Sequence, residues 1–163
     1  MLRLLGAHLG SKRVSRVVYG AIIGLAVVVG LEAHPPRAGV VVASLLGSAV
    51  AVALAEIYSE AIGAETRNRR RVKLSDLGED MKSGAAVAFG VGFPAVFFIL
   101  AAAGAMDLES AFTVAKWSGV GLIGFYGFCA ASLAGEGLAS SLLHGTVIAL
   151  VGGFLIALKA LVH

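Results

Sequence analysis

Cysteine, proline and charge are all scarce in this chain: of 163 residues one is Cys, three are Pro, one is Trp, and only 14% are Asp, Glu, Lys or Arg. A single cysteine, Cys129, excludes an intrachain disulfide, and its place inside a long apolar run makes it a small apolar filler rather than a reagent thiol. There is no Cys-x-x-Cys pair, no His-Glu-x-x-His, and no glycine-rich loop leading to a lysine at a helix start, which removes the common zinc, metalloprotease and nucleotide signatures. No nucleophile, base and orienting group stand at a workable spacing, so an enzyme is not expected. With 58% hydrophobic residues and a mean hydropathy of +0.92, the sparse charge also excludes an ordinary soluble domain.

Long apolar runs fill the space that charge leaves. Five stand out, over 17–31, 38–62, 85–105, 111–133 and 139–161, and most reach the roughly 20 residues that a helix needs to cross about 30 Å of hydrocarbon. They are continuous and rich in Ala, Gly and Leu rather than alternating with a period of two, which argues against strands. The expectation is one all-α, polytopic membrane domain, 1–163, with five transmembrane helices. Residues 1–16 read as an interfacial segment, with Leu2, Leu4, Leu5 and Leu9 beside Lys12 and Arg13, and 64–83 as a basic cytoplasmic link.

Basic residues set the expected orientation. Ten of the 13 fall before the first run or in the link (Arg3, Lys12, Arg13, Arg16, Arg67, Arg69, Arg70, Arg71, Lys73 and Lys82), against Arg37, Lys116 and Lys159 elsewhere. The positive-inside rule then puts the amino terminus in the cytoplasm and the carboxy terminus outside. Topology accounts for the arginines, so the net charge of +3 calls for no nucleic-acid partner. Pro35 and Pro36 mark a tight turn between the first two helices, Asp107 is placed to cap the fourth, and Ser75 or Asp76 the third. Gly90, Gly92, Gly119, Gly121, Gly124, Gly127, Gly152 and Gly153 lie inside apolar runs, where they are expected to bring helix backbones together and to favour a homodimer.

Polar groups inside the apolar runs carry the functional reading, because a carboxylate in hydrocarbon costs several kcal/mol unless paired or hydrated. Glu56 and Glu60, four residues apart, share a helix face roughly 10 and 5 Å below the cytoplasmic boundary. On the same side, Glu136 guards the start of the fifth helix and His144 lies roughly 8 Å deep. Glu56, Glu60, Glu136 and His144 form a candidate metal-ligand set of three hard oxygen donors and one imidazole, suited to a divalent first-row ion or to a proton relay. Glu60 can instead pair with Arg67 or Arg70, and Lys116 and Lys159 are expected to snorkel to the outer interface.

Two stretches resemble the vacuolar iron transporter family. Val18-Tyr19-Gly20-Ala21-Ile22-Ile23-Gly24-Leu25 is similar to its Phe-Gly-Ala-Asn-Asp-Gly-Leu, and Ala55-Glu56-Ile57-Tyr58-Ser59 falls where the family carries Gly-Glu-Tyr and a nearby serine. The resemblance implies a five-helix homodimer that moves ferrous iron or manganese in exchange for protons, and it carries over a ligand role to Glu56; no resident cofactor is expected, and the chain's size and lack of a targeting signal point to the cell membrane. Ile22 and Ile23 stand where the family has its Asn and Asp. The residues also admit proton or small-solute permeation without metal, or a non-transporting membrane scaffold.

Overall fold

The computed structural model describes residues 11–68 and 77–162, and all regular structure among them is helical. The helices are α1 (Ser11–Glu32), α2 (Ala38–Asn68), α3 (Leu77–Gly92), α4 (Ala95–Ala102), α5 (Leu108–Leu133) and α6 (Leu138–Val162). Four of them, α1, α2, α5 and α6, are individually long and apolar enough to cross a membrane, and α3 with α4 adds a fifth crossing if taken as one span bent by 49°. The unbroken third span expected over 85–105 is therefore corrected. Proline has no N–H to donate and its ring collides with the preceding turn, so the helix breaks at Phe93 and Pro94.

Helix ends follow local chemistry. The turn holding Pro35 and Pro36 separates α1 from α2, as the sequence predicts. Asp107 caps α5, its carboxylate accepting from the Ser110 N–H and from the Ser110 hydroxyl, both at 2.7 Å. Gly104 (φ +77°) and Gly135 (φ +86°) close α4 and α5 in the left-handed conformation, and the next N–H in each case reaches back to the carbonyls of Leu100 and Ala131. Helix α1 already runs through Ser11–Arg16, so that stretch belongs to the first long helix. Residues 1–10 and 69–76, with the Ser75 or Asp76 cap and most of the basic link, lie outside the described residues.

The architecture contains a repeat that the sequence reading missed. Glu32 and Ala102 end equivalent helices, Ala38 and Leu108 begin the next ones, and each pair lies seventy positions apart. From Arg13 to Val28 and from Ser83 to Phe98 the order of buried, half-buried and exposed positions is identical at every step. In the second helices the buried positions Val41, Leu45 and Ala49 match Ala111, Ala115 and Gly119. Thus α1–α2 and α3–α5 are two copies of one hairpin, related by a pseudo-twofold axis parallel to the helices, and α6 stands outside the repeat.

Glycine makes the axis possible. A Cβ on Gly20 would lie 2.2 Å from the Val87 carbonyl oxygen, and one on Gly90 would lie 2.4 Å from that of Val17. Val17 and Val87 are themselves seventy apart, so the contact is reciprocal. Gly24 makes the next turn of the same approach, 2.7 Å from the Val91 oxygen, giving a Gly-x-x-x-Gly face on α1. Around this seam Leu25, Val28, Val87, Val91 and Phe98 are fully buried. Phe98 and Phe112 meet edge-on at 4.8 Å, a geometry worth about 1 kcal/mol beyond the area it covers. Helix α6 docks on α5 by a second close approach, where a Cβ on Gly145 would fall 2.7 Å from the Gly124 oxygen, and Gly152 faces Leu25 of α1. Gly92 and Gly119 make ordinary contacts and Gly121 and Gly153 face open space, so only part of the expected glycine set packs.

Candidate functional site

The deepest charge lies where α1 meets α2. Arg16 projects from the second turn of α1, and its two terminal nitrogens go separately to Glu56 Oε1 and Glu60 Oε1. The four-residue spacing on α2 stacks the carboxylates on one face, and the planar guanidinium fork spans them. Glu56 is the most enclosed of the three, with 11% of its side chain exposed against 29% for Arg16 and 33% for Glu60. Among the described residues, this one guanidinium faces both carboxylates. Glu60 thus pairs with Arg16, while the expected pairings with Arg67 and Arg70 lie outside the described side chains.

The other expected ligands are elsewhere. Glu136 sits on the exposed turn before α6, where its Oε2 accepts from the Ser140 hydroxyl at 2.7 Å. His144 is on an exposed face of α6, a helix that packs chiefly on α5 and α1 rather than on α2. Among the described residues no group of three or more His, Cys, Asp or Glu side chains is arranged to hold a metal ion. The predicted quartet is thus divided, with Glu56 and Glu60 brought together and Glu136 and His144 left apart from them. The physical reason is the repeat: α6 lies against the second hairpin, on the far side of the seam from α2. Tyr19 is half exposed and Tyr58 largely so.

At the opposite end of α1, Lys116 of α5 donates to Glu32 Oε1 at 2.6 Å. Lys116 was expected to reach for an interface, and instead it ties the two hairpins together. Between the two charged ends the seam is formed by apolar side chains and glycine backbone.

Applying the repeat to the charged trio locates its counterpart. Arg16 corresponds to Ala86, Glu56 to Tyr126 and Glu60 to Ala130. Where the first hairpin holds a bridging side chain, the second has a cavity of about 420 Å³ lined by Arg13, Val17, Lys82, Ala85, Ala86, Phe89 and Tyr126. A second cavity of about 390 Å³ between α5 and α6 is walled almost wholly by apolar groups, with Thr146 as its one side-chain hydroxyl. That hydroxyl is already donated to the Leu142 carbonyl at 2.8 Å.

Sequence reasoning overlooked Arg16 as a site residue, treating it as one more positive charge before the first span. The signal was present: a cation inside a helix that continues without interruption into hydrocarbon needs a partner, and two carboxylates at helical spacing were the available ones. Comparison with protein-family models, with curated proteins and with solved structures finds no match to this chain.

Proposed function

We propose that this chain is a small multi-pass transport protein of the cell membrane that moves protons or small cations, with Arg16, Glu56 and Glu60 as its charge-exchanging site. The observation that carries the reading is a clasp of unlike count: among the described residues, two carboxylates share the Arg16 guanidinium within apolar helices. Intramembrane ionisable groups are costly and are most often kept for a pathway or relay. A proton or cation arriving at the trio competes with Arg16 for a carboxylate, which releases one arm of the clasp and loosens α1 from α2. Two like hairpins meeting on an axis along the helices are a frequent basis for rocking motions in transporters.

An iron or manganese substrate is the finer form of this proposal. One chain offers a divalent ion two carboxylates, both held by Arg16, so a metal would have to displace the guanidinium and recruit donors from a second copy in a homodimer. The alternative is a non-transporting membrane scaffold, favoured by the apolar seam between the charged ends.

Proteoliposomes separate these readings. A pH-sensitive dye inside vesicles responds to wild type and not to Glu56→Gln if the trio exchanges protons, and a metal-sensitive dye responds to added manganese if it passes a divalent ion. Silence of both dyes with correctly folded protein leaves the scaffold reading.

A further inference from the structure

The cavity of the second hairpin exists because a bridging arginine was not repeated there. At the equivalent place in the first hairpin Arg16 crosses to Glu56. In the second, Ala86 is too short to cross and Tyr126 presents a phenol in place of a carboxylate, leaving about 420 Å³ unfilled. That is within the range of sites that hold small organic ligands. Its lining is amphiphilic in order along the helices. Arg13 and Lys82 lie near the starts of α1 and α3, at the end of the bundle that carries the charged trio, and Val17, Ala86 and Phe89 follow one turn or more further in. Phe89 is half exposed, so the cavity opens sideways on the outer face of α3, where acyl chains surround a membrane helix.

We propose that this cavity binds an anionic phospholipid, its phosphate held by Arg13 and Lys82 with the Tyr126 hydroxyl as a further donor, and one acyl chain lying along Val17 and Phe89. Charge complementarity selects the occupant. Two cations at the headgroup level attract a negatively charged head, and basic pockets between transmembrane helices are recognised sites for such heads. Arg13 and Lys82 each have interactions within the chain, so the lipid binds by exchange with them. The first hairpin cannot do the same, because Arg16 fills its niche and Glu56 and Glu60 would repel a phosphate. The chain therefore takes one such lipid on one side of its axis. This inference is independent of whether the trio conducts.

The test uses the full chain in neutral detergent, with binding of phosphatidylglycerol, phosphatidylcholine and inorganic phosphate followed by native mass spectrometry and by competition with a spin-labelled phosphatidylglycerol. Each cation near a headgroup is worth about fivefold in affinity, so wild type should prefer phosphatidylglycerol by about 25-fold. Lys82→Gln should cut the preference about fivefold, and Arg13→Gln with Lys82→Gln should abolish it. Ala86→Leu, which fills the cavity without changing charge, should weaken phosphatidylglycerol binding at least fivefold, and Ala86→Val serves the same purpose if the leucine variant fails to fold. Equal binding of the two lipids, or full binding by the filled-cavity variant, overturns the proposal. Competition by inorganic phosphate as strong as that by the lipid also overturns it, by making the site one for a free anion.

Discussion

Placing a methyl group on Gly20 tests the seam at its tightest point. Its Cβ would sit 2.2 Å from the Val87 oxygen, where real contacts stay beyond 3.0 Å, so α1 and α3 must separate by about 0.8 Å. The obstacle is backbone and cannot rotate away. A radial gap of 0.5–1 Å forfeits roughly a quarter to a half of the dispersion energy of the atoms that lose contact, and here the affected atoms run along the seam from Val17 to Leu25. Overpacking of this kind costs about 1–3 kcal/mol and occasionally more, against which alanine returns up to about 1 kcal/mol of helix propensity. Gly20→Ala should therefore destabilise the fold by about 2 kcal/mol net, roughly a thirtyfold change in the unfolding equilibrium. Gly121→Ala, facing open space, should be neutral or slightly stabilising. Reversible denaturation in bicelles followed by circular dichroism measures both. The double variant with Gly90→Ala should cost much less than twice the single one, because one separation relieves both clashes. Equal stability of the Gly20 and Gly121 variants, or additive costs in the double variant, would refute the seam as described.

Other perturbations follow from the charged ends. Arg16→Gln should cost about 2 kcal/mol by leaving two carboxylates uncompensated, less than the 3–5 kcal/mol of a fully buried pair because the trio is partly exposed; adding Glu56→Gln and Glu60→Gln should recover most of it in the same denaturation assay. A double-mutant cycle of Glu32→Gln with Lys116→Met should give a coupling of about 1 kcal/mol between the hairpins, and a coupling near zero would remove that tie. The Ser110 N–H and hydroxyl hold the Asp107 carboxyl below its usual range. A lowered folded value means that the cap contributes above the unfolded carboxyl range, near pH 4, and is lost as pH falls through the folded value. The protection of the first amides of α5, taken relative to their intrinsic exchange rate at each pH, should therefore fall on acidification below pH 4, and Asp107→Asn should blunt that response.

Much of the fold could be read from apolar run length, and the turns from proline and from Asp107, because those signals act locally. The break at Pro94 was equally local and was missed by treating 85–105 as one run on hydropathy alone. The repeat was harder to see, since a hairpin in a membrane keeps burial more than identity: Gly24 and Pro94 occupy one position, as do Arg16 and Ala86, and few pairs remain alike, among them Val17 and Val87, Tyr19 and Phe89, and Gly20 and Gly90. Glu56 and Glu60 were legible as a pair from spacing. Counting depth along each helix located Glu136 and His144 on the same level, but depth says nothing of which helices are neighbours. That information came from the glycine contacts, which bind α6 to α5.

An isologous seam has an arithmetic of its own. A residue on the axis meets its own counterpart, so changing one copy perturbs both hairpins, whereas a residue off the axis has a distant twin that can diverge unopposed. Divergence of that second kind has left an ionic bridge in one flank and a hollow in the other. Two copies of either hairpin alone would have had two bridges or two hollows, so joining them in a single polypeptide is what allows one four-helix core to carry both.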